Sequence, residues 1–210
     1  MQALAAAVGL DPPLAGRRAL AVVSPMPGEG RTTVAIGLAA AAARRNRRVM
    51  LVEADLRMPT IGSRLGIAEG PGLSDYLGGY AAPRDVIRSV ALDSRGPGGG
   101  AASFVCVAAG TRREAPLETL SRPRFGGLLD QLQRVYALVL VDTPPLLVAG
   151  EGPIIARLAG AALLCAGAGV SRLPELRRAL GELDGVAVIG SALLDGAHLG
   201  PGVRRLPPPA

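Results

Sequence analysis

Six short apolar runs alternate with segments of helical spacing, and this alternation narrows the fold more than any other feature of the 210-residue chain. The runs are "ALAVVS" (19–24), "RVMLVE" (48–53), "SFVCVAA" (103–109), "YALVLVD" (136–142), "AALLCAGA" (161–168) and "GVAVIGSALL" (185–194). Their length and apolar content make each a strand buried on both faces. Between them, "TTVAIGLAAAAARR", "PLETLSRPRFGGLLDQLQRV" and "LPELRRALGEL" carry helical spacing. Strands and helices in turn predict an α/β fold of three layers, a mostly parallel central sheet with helices on both faces. One domain over 18–196 is expected, with an N-terminal extension at 1–17 and a Gly/Pro/Arg-rich flexible tail at 197–210. "DSRGPGGGA" (93–101) reads as a surface loop.

Composition excludes several classes. Although 49% of the chain is apolar, no stretch of about 18 residues lacks a charge or a Gly/Pro break, so no membrane span is expected. The opening "MQALAAAVGLDPPLAGRR" has no basic region before its short apolar run, which argues against a signal peptide. Cys106 and Cys165 sit inside predicted strands and read as core residues of a protein in a reducing cytoplasm. The net charge is +6 and all 23 basic residues are arginine, a bias that reads as compositional before it reads as functional. The densest cluster, "RRNRR" (44–48), suits the end of a helix. Contact with nucleic acid or an acidic membrane surface is the other reading, but no aromatic residues interleave with the arginines, and nucleic acid is not an expected partner. His198, the single histidine, reads as a solvated residue.

Three strands end in polar signals at the edge where open parallel sheets bind ligands. The first runs into "SPMPGEGRTT" (24–33), close to a phosphate-binding loop but with Pro25 and Arg31 where the strict pattern has glycine and lysine. Gly28 and Gly30 let backbone amides face an anion, the following helix adds its positive end, and Thr32 supplies a hydroxyl for magnesium. The second ends in "LVEADLRMP", where Glu53 and Asp55 lie two apart and so share a side of an extended strand. Those carboxylates either position magnesium-bound water and take a proton from an attacking hydroxyl, or cap a helix or loop. The "LVLVDTPP" run ends in Asp142, which reads as a magnesium anchor or as a cap of the next turn.

In order, these stretches resemble the cytoplasmic P-loop domain of bacterial tyrosine kinases of capsule and exopolysaccharide synthesis. "PGEGRTTVAIGLA" is similar to that family's Walker A, "VMLVEADLRMP" to its Walker A′ and "YALVLVDTPPLL" to its Walker B. "PTIGSRLGIAEGPGLSDYLGG" and "CVAAGTRREAPLETLSRPRFGGLLDQLQRVY" are similar to its intervening segments, so the resemblance covers about residues 18 to 195. It implies a P-loop NTPase-like fold, ATP or ADP with magnesium as ligands, and transfer of the γ-phosphoryl group to tyrosine. It implies work alongside a membrane protein of polysaccharide chain length and export, at the inner membrane through that partner, and leaves a homo-oligomer open. By position, Gly28, Glu29, Gly30, Arg31, Thr32 and Thr33 would bind nucleotide. Thr32, Asp55 and Asp142 would hold the metal, and Arg31, Glu53 and Asp55 would act in catalysis.

The departures fall on that catalytic set. Arg31 replaces a compact ammonium with a wide planar cation. Glu53 is one methylene longer than the family's aspartate, and magnesium tolerates displaced ligands poorly. No tyrosine follows Tyr136, so the tail "GVRRLPPPA" is not expected to act as the family's C-terminal tyrosine cluster. A degenerate regulatory module, with nucleotide and metal binding both open to loss, is therefore the leading expectation. An active kinase acting on a partner is the alternative. A ParA/MinD-like positioning ATPase is the third reading, against which the chain lacks the signature lysine. Tyr76 and Tyr80 read first as packing residues. Glu151 stands where the resembled family tends to have an aspartate, and a carboxylate at a helix N-terminus explains it equally well.

Overall fold

The computed structural model describes residues 18–93, 102–111 and 114–195. The expected extension, most of the 93–101 loop, the tail and His198 lie outside the described residues. In chain order the elements are β1 (Ala19–Val23), α1 (Arg31–Ala43), β2 (Val49–Glu53), α2 (Ile61–Leu65), α3 (Leu73–Gly78), α4 (Pro83–Val86) and β3 (Ile87–Leu92). Then follow β4 (Ala102–Val107), α5 (Pro116–Ser121), α6 (Pro123–Val135), β5 (Leu138–Asp142), α7 (Glu151–Ala159), β6 (Ala161–Gly167), α8 (Leu173–Glu182) and β7 (Ala187–Leu194). The strands form one sheet in the order β3-β4-β2-β5-β1-β6-β7, parallel throughout except for β3 against β4.

The alternation of side chains along each strand divides the core in two. Ala19, Ala21 and Val23 of β1, Met50 and Val52 of β2, and Val139 and Val141 of β5 face one cluster. Phe125, Leu129 and Leu132 of α6 and Ile155, Ala156 and Ala159 of α7 close it. Leu20, Val22, Val49, Leu51, Leu138 and Leu140 face the opposite cluster, against Val34, Leu38 and Ala42 of α1 and Ile61 of α2. All the residues of β1, β2 and β5 are buried, as expected for central strands.

The edges depart from expectation. β7 was expected to be buried on both faces, yet only Ala192 of its eight residues is buried, because it is the last strand of the sheet. At the other edge β3 has no counterpart among the expected strands. Its "IRSVAL" carries one buried residue, Val90, and lacks the continuous apolar run that betrays an inner strand. The segment 116–135 is two helices, since Arg122 before Pro123 is extended (φ −66°, ψ 143°), as the proline ring demands. α7, whose first residue is Glu151, was not anticipated as a full helix.

Behind the site, α3 docks on the exit of β4, with the Leu73 and Ser74 amides donating to the Ala108 and Ala109 carbonyls at 2.8 and 2.9 Å. Asp75 draws the junction together, accepting from the Gly72 and Thr111 amides and the Thr111 hydroxyl at 2.7–2.9 Å. Burial acts to raise its pKa, but the Thr111 and Gly72 donors prevail and hold it below the usual value. A Cβ on Gly72 would lie 2.3 Å from the Ala108 carbonyl oxygen and 2.4 Å from the Gly110 nitrogen, both backbone atoms that cannot swing aside. Gly72→Ala is therefore expected to cost about 2 kcal/mol through overpacking, seen as a lower urea midpoint with an unchanged slope. An unchanged midpoint would show that this junction opens without cost.

Candidate functional site

The parallel register sets Glu53 and Asp142 side by side as partners at the carboxyl ends of β2 and β5, with Val22 of β1 on the other side of Asp142. From β1 the chain enters a tight loop whose turns need glycine: Gly28 has φ +82° and Gly30 has φ +87°. α1 starts directly after Gly30 with no side-chain cap and no acid in its first turn. Its leading amides thus point out of the loop with the positive end of the helix behind them, an arrangement suited to an anion. The loop opens on a cleft of about 270 Å³ lined by Gly28, Gly30, Arg31, Thr32, Thr33, Asp55, Arg57, Arg64, Pro145 and Val148, among others.

Side chains fix the loop from beneath. Glu29, buried, accepts from the Met26 amide at 2.7 Å and from the Ser171 hydroxyl, which ties the loop to the turn after β6. Of the expected loop residues, Glu29 therefore turns its carboxylate into the protein, leaving only its backbone to a ligand. Leu194, at the end of β7, covers Gly30 from the other side.

Arg31 also turns inward. Its Nε donates to the Thr143 carbonyl at 2.8 Å, and its Nη1 donates to Ser24 Oγ at 2.5 Å and the Met26 carbonyl at 3.0 Å. Its Nη2 stands 3.6 Å from Asp55 Oδ2. The residue is 8% exposed. Ser24, which sequence reasoning overlooked, is thus one of the anchors of the guanidinium.

Glu53 and Asp55 were expected to point the same way, and their hydrogen bonds show that they do not. The strand ends at Glu53, so the two-residue parity is lost one step later. Glu53 Oε1 accepts from the Thr60 and Ile61 amides at 2.5 Å each and Oε2 accepts from the Ala109 amide at 3.0 Å, which pins the start of α2 and the exit of β4. Burial pushes its pKa up, the three amides pull it down, and Asp55 adds a smaller upward push; the net direction is up. Asp55 accepts from the Met58 amide at 3.0 Å and faces Arg31. Glu53→Gln would turn an amide NH2 toward one of these three donors. A loss of about 2 kcal/mol is expected, because a buried donor is left unpaired. Equal thermal midpoints for the two proteins at pH 7 would refute this staple.

Asp142 Oδ2 accepts from the Thr32 hydroxyl at 2.7 Å, and the Thr60 hydroxyl stands 3.3 Å from that of Thr32. Asp142 Oδ1 is buried with no hydrogen-bond partner. Burial raises this carboxyl to about 7; the Thr32 hydroxyl and Arg31 lower it, and Glu53 and Asp55 raise it. An unpartnered carboxylate oxygen beside a hydroxyl is a fitting donor pair for magnesium, which takes one or two protein ligands and fills the rest with phosphate and water. Among the described residues no group of three or more His, Cys, Asp or Glu gathers to hold an ion by itself.

Arg57 meets Glu151 at 2.7 Å through Nη2, and the Glu151 side chain is buried at the first residue of α7. Thr33 Oγ1 accepts from Arg64 Nη1 at 2.9 Å. Neither Thr60 nor Arg64 falls in a motif whose spacing would have flagged it. Tyr76 is 9% exposed, with Arg124 stacked 4.6 Å from its ring, as a packing residue should be, whereas Tyr80 is 67% exposed. No helix of the described residues is long and apolar enough to cross a membrane.

Residues 20–183 match the family described as the CobQ/CobB/MinD/ParA nucleotide binding domain. Among curated proteins, the chain is 34% identical over 169 residues to the putative tyrosine-protein kinase EpsB of Ralstonia solanacearum, covering 80% of this chain and 21% of EpsB. Among solved structures, the kinase domain of the Escherichia coli tyrosine kinase ETK superposes with a TM-score of 0.78 at 29% identity, covering 88% of this chain and 70% of that one. The kinase domain of VpsO superposes with a TM-score of 0.79 at 28% identity, covering 92% and 94%. The chain spans about a fifth of the length of the full-length kinases that it matches.

Proposed function

We propose a function from the fact that this chain belongs to the CobQ/CobB/MinD/ParA nucleotide binding domain family: it is a kinase-like, nucleotide-binding regulatory module of capsular or exopolysaccharide biosynthesis, with weak or no tyrosine phosphotransfer. Likeness to the ETK and VpsO kinase domains supports the kinase-like part. The regulatory part rests on one observation: Ser24, Met26, Thr143 and Asp55 together hold the Arg31 guanidinium inside the protein.

In this reading the uncapped amides of α1 and the Gly28–Gly30 turn bind the phosphates of ATP or ADP. Thr32 and Asp142 would hold magnesium, with Asp55 close by. A bound Mg-nucleotide would supply a polarised terminal phosphate. The Asp142 carboxyl, raised to about 7 by burial, would hold the cation in its ionised form. Asp55 is steadied by the Met58 amide, and Glu53, committed to three backbone amides, takes no proton from a substrate. The whole protein docks to a membrane polysaccharide chain-length or export protein on the cytoplasmic side, as a single copy or a homo-oligomer, and without nucleic acid.

The test is calorimetric titration of Mg-ATP and Mg-ADP, with phosphotyrosine measured on the same protein after incubation with ATP. Binding without phosphotyrosine at Tyr76, Tyr80 or Tyr136 is expected. Absence of binding would overturn the nucleotide reading. ATP-dependent phosphotyrosine, on this chain or an added partner, would favour the active-kinase reading, for which the Thr32–Asp142 pair and Asp55 are the supporting features.

A further inference from the structure

Three arginines line the cleft, and their charges are not equally available. Arg31 is buried, donates to two carbonyls and a hydroxyl, and turns its remaining nitrogen toward the Asp55 carboxylate at 3.6 Å. Arg57 is committed to the buried carboxylate of Glu151 through both Nε and Nη2. Arg64, in the last turn of α2, is exposed and donates through Nη1 to the neutral Thr33 hydroxyl at 2.9 Å. Among the described residues, no carboxylate pairs with it in a salt bridge.

The place where Arg64 sits matters as much as its charge. Thr33 belongs to the first turn of α1, where uncapped amides and the helix dipole already favour an anion. A guanidinium has five N–H donors in a planar fork, and the bond to Thr33 uses one of them. α2 is itself fixed, because Glu53 takes the amides of Thr60 and Ile61 at its start. The cation is thus carried to the loop by an anchored element rather than by a wandering one.

We propose that Arg64 is a phosphate-binding residue of this site, contacting the polyphosphate of a bound nucleoside triphosphate and supplying the accessible positive charge that Arg31, turned inward, withholds. This inference rests on the nucleotide-binding reading given above. A charge-assisted contact of this kind is lost when the guanidinium is replaced by an uncharged amide, largely kept when an ammonium takes its place, and weakened by salt.

Calorimetry of Mg-ATP with the wild-type chain, Arg64→Gln and Arg64→Lys, at about 50 and about 500 mM salt, tests it. Arg64→Gln is expected to bind about tenfold or more weakly at low salt, Arg64→Lys to stay within about threefold of wild type, and the gap for glutamine to narrow at high salt. The side chain is exposed, so a thermal scan of each variant should give the wild-type midpoint. Wild-type binding with an equal affinity for Arg64→Gln would overturn the role of Arg64 while leaving the nucleotide reading in place. A wild-type chain that binds no nucleotide would overturn both.

Discussion

Arg31→Ala is expected to lower the unfolding free energy by about 3–5 kcal/mol, the range for removing one partner of a buried charge pair. The substitution strips the cation from Asp55, which is 6% exposed and, among the described residues, keeps the Met58 amide as its one donor. It also removes the donor from the Thr143 and Met26 carbonyls and from the buried Ser24 hydroxyl. A side chain that faced the cleft only to meet a ligand would behave otherwise: its loss would abolish binding and leave the apo protein as stable as before. Arg31→Lys should fall between the two, since one ammonium cannot reach the Thr143 carbonyl, Ser24 and Asp55 together. Urea denaturation without nucleotide measures all three. A loss below about 1 kcal/mol for alanine, the scale of an exposed ion pair, would mean that the guanidinium does not hold the strand ends together.

Asp142→Asn should act in the opposite direction on stability. The wild-type carboxyl has a pKa of about 7 when folded, against about 3.9 in an unfolded chain. Between these values the folded state keeps a proton that the unfolded state has released, so stability falls as pH rises through the window and levels off above pH 7. Asparagine removes that dependence and still accepts from Thr32, although its amide nitrogen inherits the unpartnered position of Oδ1. The variant should therefore gain about 2 kcal/mol over wild type at pH 8, as part of the ionisation cost is recovered, and show little difference near pH 4. The same variant should lose the magnesium-dependent part of nucleotide affinity, having no carboxylate to offer. Thermal scans from pH 4 to 8 decide the first point; a wild-type chain at least as stable as the variant at pH 8 would refute it.

The inner strands were legible because burial on both faces leaves unbroken apolar runs, and the acids at their ends were legible because polar residues interrupt those runs abruptly. The edge strands were not: β3 and most of β7 face solvent, and no run marks an exposed strand. The site divides along a similar line. Backbone features, such as the glycines before α1 and the positive helix end behind them, follow from local chemistry and were anticipated. Side-chain directions were not. Glu53 and Asp55 look alike by spacing, yet the chain leaves the strand between them and sends one carboxylate into three amides and the other toward Arg31. Arg31 itself reads as a loop cation until the Ser24, Met26 and Thr143 acceptors are placed around it. Arg64 has no motif at all, because its nearness to Thr33 is made by the fold of α2 rather than by any spacing in the chain.

The contact between Leu194 and Gly30 bears on how such a loop can change over generations. A side chain at position 30 would have to adopt a backbone turned to φ +87°, which L residues rarely do, and would push aside the end of the Leu194 side chain. The cation next to it has no such constraint, since an arginine can occupy position 31 by folding into the strand ends. The charge at position 31 can therefore be exchanged while the turn at position 30 is kept, so the shape of the loop and its cation are separable in sequence.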